Sequence, residues 1–118
     1  MCLRLVAQKI HDTVNRPYDL VARFGGEEFI CILPNTDLIG GTYVAQQIVD
    51  SIVSLKIPHI NSSISAFVTI SAGVSSVVPE YDMSSTTLIE EADKQLYIAK
   101  DRGRNRVLGS QIQATLNE

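Results

Sequence analysis

Two glycines followed by two glutamates, Gly25-Gly26-Glu27-Glu28, stand between two apolar runs of the sequence. The runs, residues 19–22 and 29–34, are typical of strands. A glycine pair between them indicates a hairpin, because glycine adopts positive φ without steric cost. Backbone without side chains lets a bulky triphosphate approach closely, and adjacent carboxylates suit a hard cation that neutralises it. The pattern therefore predicts a cation-assisted phosphate site at a hairpin tip.

The pentapeptide Gly25–Phe29 resembles the signature of GGDEF domains, the bacterial diguanylate cyclases, in its GGEEF form. The resemblance runs from about residue 3 to residue 107 and includes residues 68–74 and 92–105, so three motifs occur in the family's order and spacing. It implies an α+β, sandwich-like fold of the nucleotidyl-cyclase type, with a mainly antiparallel sheet flanked by helices. We assign residues 1–108 to this domain and residues 109–118 to a C-terminal tail.

The resemblance implies that two GTP molecules, one held by each subunit of a homodimer, condense to cyclic di-GMP and two pyrophosphates with Mg²⁺ or Mn²⁺. Glu27 matches the residue that ligates the metal, and Glu28 would support it or share in catalysis. Gly25 and Gly26 would leave room for the triphosphate. Solvated charges at a turn are the alternative interpretation of the two glutamates.

A second basic group lies near the end of the chain, where Gly103 ends a predicted helix and Lys100 and Arg104 flank it. Cations and a glycine at a helix C-terminus are common for structural reasons alone. The resemblance favours a further role, because Lys100 and Arg104 match positions that bind the phosphates of GTP. Lysine supplies a point charge and arginine a planar fork, and both suit phosphate oxygens.

Arg16 and Asp19 have two interpretations. In the first, Arg16 ends a helix, Pro17 breaks it and Asp19 begins a strand. In the second, this Arg-x-x-Asp resembles the family's inhibitory site, which binds the product cyclic di-GMP. A guanidinium matches the O6/N7 edge of guanine, and a carboxylate accepts from the guanine N–H groups.

Composition predicts one soluble domain. The chain has 118 residues, 45% of them hydrophobic and 19% charged, and a net charge of −3. An acidic balance argues against binding a nucleic-acid polymer, which usually requires a basic footprint. Cys2 and Cys31 form no CxxC pattern, and no apolar run is long enough to span a membrane. We expect a cytoplasmic fragment without membrane contact, although the parent protein could be anchored by upstream segments.

Two parts of the family pattern have no match in this sequence. One is an early strand with a metal-binding aspartate, and the other is the asparagine and aspartate that recognise guanine. In the family that strand is central in the sheet, so its loss would leave the edges of two strands unpaired. Either residues 29–33 pair directly with the strand at Val68, or a neighbouring chain pairs with both edges. A shortened form of the protein, or a start of translation assigned too late, would explain the missing parts. Because a metal-binding aspartate is among them, we expect the isolated chain to be inactive or nearly so. The alternatives are a non-catalytic cyclic di-GMP receptor and a structural remnant used for dimerisation.

Apolar periodicity predicts the elements that position these residues. Helices are expected over residues 2–14, from Thr36 or Asp37 to Leu55, and from residues 84–87 to Gly103. Beyond the hairpin, strands are expected over residues 67–76 and 105–108.

Overall fold

The computed structural model describes residues 3–23, 28–58, 67–77 and 85–111. Gly25, Gly26 and Glu27 lie outside the described residues, as do residues 112–118 of the predicted tail. The described elements follow the chain in this order: α1 (Leu3–Thr13), β1 (Leu20–Arg23), β2 (Phe29–Ile32), α2 (Leu38–Ser54), β3 (Ala72–Ser76), α3 (Ser85–Asp101) and β4 (Val107–Gln111). Helices combined with open sheets confirm the predicted α+β class.

The main apolar cluster lies between α1 and α2. Side chains recurring every three or four residues place one stripe of each helix in the core, as the periodicity predicts. Ile52 is 0% exposed and Val49 is 1% exposed, and burial of an aliphatic side chain of this size contributes about 1.5–3 kcal/mol. The buried members of the cluster are Val6, Ile10, Val14, Ile48, Ile52 and Val68.

The predicted hairpin is confirmed. Strands β1 and β2 pair antiparallel, with Val21 opposite Cys31 and Leu20 opposite Ile32. Val21 and Cys31 pack against the main cluster, whereas Leu20 and Ile32 point to the other face and are exposed. This alternation is what a half-buried strand pair requires.

Strands β3 and β4 form a second, parallel pair, with Ala72 opposite Val107 and Ser76 opposite Gln111. Parallel strands need a crossover connection, and α3 supplies it. The last strand runs to Gln111, three residues past the predicted end at Leu108, because its backbone continues to pair with β3. Regular β3 begins only at Ala72; Phe67, where the strand was predicted to begin, forms an isolated bridge with Pro58.

Helices α2 and α3 cover opposite faces of the β3–β4 pair. Val74 lies next to Gly41 of α2, 3.3 Å from the position that a Cβ on that glycine would take. Gly73, the preceding residue, faces α3 so closely that a Cβ would overlap the backbone of Ala92 and Leu96. Glycine is therefore required at position 73 for the strand and the helix to approach each other.

The two strand pairs belong to separate sheets within the described residues. Strand β2 pairs with β1, and β3 pairs with β4. Direct pairing of residues 29–33 with the strand at Val68, one of the two expected arrangements, is therefore not formed.

Candidate functional site

Arg16 and Asp19 lie in a tight turn between α1 and β1. Helix α1 ends at Thr13, so the interpretation of Arg16 as a helix end is wrong. The backbone N–H of Asp19 donates to the carbonyl oxygen of Arg16 at 3.0 Å, which closes a four-residue turn. Pro17 occupies the second position of this turn, where its restricted φ is favoured.

The side chains of Arg16 and Asp19 form a two-pronged ion pair. Arg16 Nη2 is 2.8 Å from Asp19 Oδ1, and Arg16 Nε is 2.9 Å from Oδ2. The Asp19 side chain is 4% exposed, whereas that of Arg16 is 50% exposed. Hydrogen bonding to Arg16 lowers the pKa of Asp19, so the carboxylate stays ionised at neutral pH.

Thr36 adds a further partner from the start of α2. Its Oγ1 accepts a hydrogen bond from Arg16 Nη2 at 2.7 Å and donates to the carbonyl oxygen of Pro34 at 3.1 Å. Thr36 and Asp37 were both candidates for the N-cap of this helix. Asp37 caps it, since its Oδ1 accepts from the N–H of Gly40 at 2.8 Å, which leaves the Thr36 hydroxyl available to Arg16.

This arrangement determines what the turn can offer a ligand. Within the described residues Arg16 Nη1 makes no hydrogen bond, and the Arg16 side chain is half exposed. Three N–H groups of Arg16 donate to the Asp19 carboxylate: the backbone N–H, one Nη2–H and the Nε–H, which is shared between both oxygens. The Asp19 side chain is 4% exposed, so a ligand N–H has little access to it while these bonds are in place.

Burial raises the pKa of the nearby Cys31 thiol to about 11, and the negative charge of Asp19 adds to the effect. A neutral thiol is a poor nucleophile, so Cys31 is a core residue of the hairpin.

The other basic site lies where α3 ends. Lys100 and Arg104 are both exposed and belong to the same final turn, in which the Arg104 N–H donates to the carbonyl oxygen of Ala99 at 3.0 Å. Three consecutive residues then have positive φ: Gly103 at 116°, Arg104 at 64° and Asn105 at 49°. We call residues 103–105 the Arg104 turn. Left-handed backbone is unfavourable for residues with a Cβ, so this turn must be held by its surroundings.

Two hydrogen bonds outside the helix hold the Arg104 turn. The N–H of Asn105 donates to Ser71 Oγ at 3.1 Å, and Arg106 Nε donates to the carbonyl oxygen of Arg104 at 3.0 Å. The Arg104 side chain itself makes no hydrogen bond or ion pair with the described residues. Among the described residues, only the backbone of Arg104 therefore fixes where this side chain starts.

Of the two predicted carboxylates, the structure describes Glu28 alone, and this side chain is not bonded to either basic site. Glu28 is exposed and makes no hydrogen bond or ion pair with Lys100 or Arg104. Glu27, the predicted metal ligand, lies outside the described residues. Among the residues that are described, no three His, Cys, Asp or Glu side chains are close enough together to hold a metal ion. These residues therefore do not fit a divalent cation by themselves.

Sequence reasoning missed two hydroxyl groups. Thr36 was considered only as a helix cap, and Ser71 only as part of the predicted strand over residues 67–76. Neither has a local pattern that would reveal its partner, since the bonds to Arg16 and Asn105 span 20 and 34 residues. No helix of the described residues is long and apolar enough to cross a membrane.

Comparison with known proteins agrees with this architecture. The family model for the GGDEF domain of diguanylate cyclases matches residues 1–106. The chain is 43% identical over 100 residues to diguanylate cyclase A of Treponema denticola, which covers 84% of this chain and 26% of that protein. The chain thus spans about a quarter of the length of this relative.

Two solved structures share the fold. The active GGEEF domain of a diguanylate cyclase from Vibrio cholerae matches 94% of this chain and 67% of its own, with a TM-score of 0.78 and 28% identity. The GGDEF domain of DgcB from Caulobacter crescentus, solved in complex with c-di-GMP, matches 91% of this chain and 61% of its own, with a TM-score of 0.74 and 30% identity.

The domain therefore belongs to the α+β class of folds that these two solved domains share. Within that class, the chain belongs to the GGDEF domain family of diguanylate cyclases.

Proposed function

We propose that this chain is part of a diguanylate cyclase catalytic domain that condenses two GTP molecules into cyclic di-GMP. The family match over residues 1–106 carries the proposal, because it includes the hairpin, the Arg16–Asp19 turn and the C-terminal end of α3. A reaction that starts from GTP suits a cytoplasmic domain.

The reaction balances as two identical transfers. The 3′-hydroxyl oxygen of each GTP forms a bond to the α-phosphorus of the other and loses its proton. The bond from that phosphorus to the oxygen bridging the α- and β-phosphates breaks, and pyrophosphate leaves. Each nucleotide is both donor and acceptor, so a symmetric homodimer with one GTP on each subunit supplies the required geometry.

Lys100 and Arg104 are the residues to which we assign the β- and γ-phosphates. Lys100 lies in the last turn of α3 and Arg104 in the turn that follows it; both are exposed, and neither side chain is engaged in an ion pair within the described residues. They would attract and orient the triphosphate, while Gly25 and Gly26 would let it lie against the hairpin backbone.

Glu27 is the residue to which we assign Mg²⁺ or Mn²⁺, with Glu28 in support. A bound divalent cation would neutralise charge on the triphosphate. A hard cation needs several oxygen ligands, so further oxygen atoms from protein, nucleotide or water would complete the site around Glu27.

Arg16 and Asp19 are the residues to which we assign product inhibition. The ion pair holds the guanidinium in place, and its Nη1 edge is open to a guanine acceptor. Their turn precedes the hairpin in the chain, whereas Lys100 and Arg104 lie at the end of α3, so we assign product and substrate to separate sites.

Binding and turnover by the purified chain test this assignment. GTP with Mg²⁺, and separately cyclic di-GMP, would be titrated by calorimetry into the wild type, Arg104→Ala and Arg16→Ala. Arg104→Ala should weaken GTP about tenfold or more and leave cyclic di-GMP unchanged, since a hydrogen bond to a charged group is worth about 1.5–3 kcal/mol. Arg16→Ala should show the reverse.

Turnover of GTP is measured in the same preparations, first with Mg²⁺ and then with Mn²⁺, by the amounts of cyclic di-GMP and pyrophosphate formed. Glu27→Ala is the control. Turnover that disappears in Glu27→Ala would support the carboxylate assignment and contradict the expected inactivity. GTP binding that is indifferent to Arg104→Ala would contradict the substrate assignment.

A non-catalytic cyclic di-GMP receptor is the second candidate. The Arg16–Asp19 pair is formed within the described residues, so cyclic di-GMP binding there would not depend on the residues assigned to the metal. Tight cyclic di-GMP binding that Arg16→Ala abolishes, without GTP binding, would favour the receptor.

A further inference from the structure

We infer that Ser71 is a positioning residue for the triphosphate, because its hydroxyl holds the turn that carries Arg104. The inference rests on the proposed function, since Ser71 would act only through the phosphate contacts of Arg104. Ser71 belongs to none of the motif positions to which a ligand was assigned, and it lies in the segment leading into β3.

The Arg104 turn is the most unusual stretch of backbone in the described chain. Two residues with side chains, Arg104 and Asn105, follow Gly103 in positive φ. Isolated residues can adopt such conformations, but consecutive ones persist only when neighbouring groups hold them. This backbone fixes where the Arg104 side chain starts, and the side chain makes no bond with the described residues.

Ser71 supplies a bond to this turn from a distant part of the chain. Its Oγ accepts the N–H of Asn105 at 3.1 Å, and the next residue, Ala72, donates its N–H to the carbonyl oxygen of Arg106 at 2.9 Å. These adjacent bonds attach the residues that follow Arg104 to the start of β3. The hydroxyl acts at the end of the strained segment, where regular strand pairing has not yet begun.

The register of β3 explains why a hydroxyl at this position can reach the turn. Gly73 faces α3, and side chains two residues away along a strand share a face. Ser75 confirms the pattern, since its Oγ donates to the carbonyl oxygen of Leu88 in α3 at 2.6 Å. Ser71 is thus the residue on the α3 face of this strand segment that reaches the C-terminal end of the helix.

Ser75 also provides a matched control. Ser75→Ala removes one hydroxyl and one side chain-to-backbone hydrogen bond four residues away, as Ser71→Ala does, but its bond lies toward the start of α3. Both alanine variants should be destabilised to a similar extent. Only the Ser71 variant should release the Arg104 turn.

The probe is inorganic tripolyphosphate with Mg²⁺, which isolates the phosphate contacts from guanine recognition. Calorimetric titrations would compare the wild-type chain with Ser71→Ala, Ser71→Thr, Ser75→Ala and Arg104→Ala, and thermal unfolding would be recorded for each variant. We expect Ser71→Ala to weaken tripolyphosphate about three- to tenfold, as loss of one anchoring hydrogen bond would. Ser71→Thr, which keeps the hydroxyl, and Ser75→Ala should bind like the wild type.

The outcomes separate this inference from the proposed function. If Arg104→Ala weakens tripolyphosphate binding but Ser71→Ala and Ser75→Ala bind it with the same affinity, the positioning role is wrong. The assignment of the phosphate site to Arg104 then stands. The role is also wrong if Ser71→Thr fails to restore binding while remaining folded. If the wild type binds no tripolyphosphate, or Arg104→Ala changes nothing, the phosphate site itself is wrong and Ser71 has no such role.

Discussion

The two arginine-bearing turns of this domain are held in opposite ways. At Arg16 the side chain is fixed, because it bonds to Asp19, to the Thr36 hydroxyl and to the Pro34 carbonyl oxygen. At Arg104 the backbone is fixed in a left-handed conformation, and the side chain makes no bond with the described residues.

This difference predicts different responses to a ligand and to mutation. A preformed guanidinium loses little entropy on binding, but its ligand must fit the orientation that is present or replace existing bonds. An unbound guanidinium on a fixed backbone can adapt to the phosphates that it meets. Its site is sensitive to distant residues that hold the backbone. The following substitutions address one turn at a time.

Gly73→Ala should have the largest effect. The new methyl group would overlap the backbone of Ala92 and Leu96, so β3 and α3 would have to separate. We expect the free energy of unfolding to fall by about 3 kcal/mol or more, measured by urea denaturation. Tripolyphosphate binding should fail before cyclic di-GMP binding, because the displaced helix carries Lys100.

Gly41→Ala is the control for this substitution. Its methyl group would meet only Val74 Cγ1, at 3.3 Å, and alanine favours a helix over glycine by about 1 kcal/mol. The stability of this variant should therefore change by less than about 1 kcal/mol. An equal loss in both variants would show that the close approach at Gly73 is unimportant.

Gly103→Ala should have the next largest effect. A φ of 116° strains any residue with a Cβ, and the added methyl group would lie 3.0 Å from Arg106 Nη2. We expect a loss of about 1–3 kcal/mol in unfolding free energy, together with weaker tripolyphosphate binding. Asn105→Gly, at φ 49°, removes strain at the same turn and should change stability by less than about 1 kcal/mol. Unchanged cyclic di-GMP binding in both would confine the effect to this turn.

Thr36→Val tests the Arg16 turn with a side chain of nearly the same shape. The guanidinium would lose the acceptor at 2.7 Å from Nη2 and become less ordered. Cyclic di-GMP should bind about two- to fivefold more weakly by calorimetry, with tripolyphosphate unaffected. Thr13→Val, which removes a hydroxyl bonded to the Lys9 carbonyl oxygen within α1, should leave both affinities unchanged. Tighter cyclic di-GMP binding by Thr36→Val would mean that Thr36 competes with the ligand.

Acidification should give the smallest effect, confined to the Arg16 turn. The folded-state pKa of Asp19 lies below its unfolded value, so the ion pair stabilises the domain above the unfolded value, about 3.9. That contribution is lost as the pH falls through the lowered folded pKa. The free energies of unfolding of the wild type and Asp19→Asn, measured by urea denaturation, should therefore converge in strongly acidic solution. A constant difference down to acid pH would contradict the ionised pair.

Local patterns predicted much of the architecture. Apolar periodicity located α2, whose buried residues include Ala45, Ile48 and Ile52, and the two apolar runs around the glycine pair located the hairpin. Asp37 could not be separated from Thr36 as a cap, because both side chains can accept the required bond.

Features that depend on distant residues were not predictable in this way. The need for glycine at position 73 comes from the α3 backbone, and the role inferred for Ser71 comes from Asn105. A serine on a strand face carries no sign of a partner 34 residues away. The continuation of β4 to Gln111 likewise depends on its neighbour β3 rather than on its own composition.

The parallel pairing of β3 with β4 has a consequence for how the chain folds. The Arg16–Asp19 turn and the β1–β2 hairpin join residues close in sequence, and such contacts form on a microsecond timescale. The bond between Ser71 and Asn105 closes a loop of 34 residues and requires α3 to have docked. During refolding, the Arg16 turn should therefore be completed first, and the Arg104 turn should appear only in the final, slower phase.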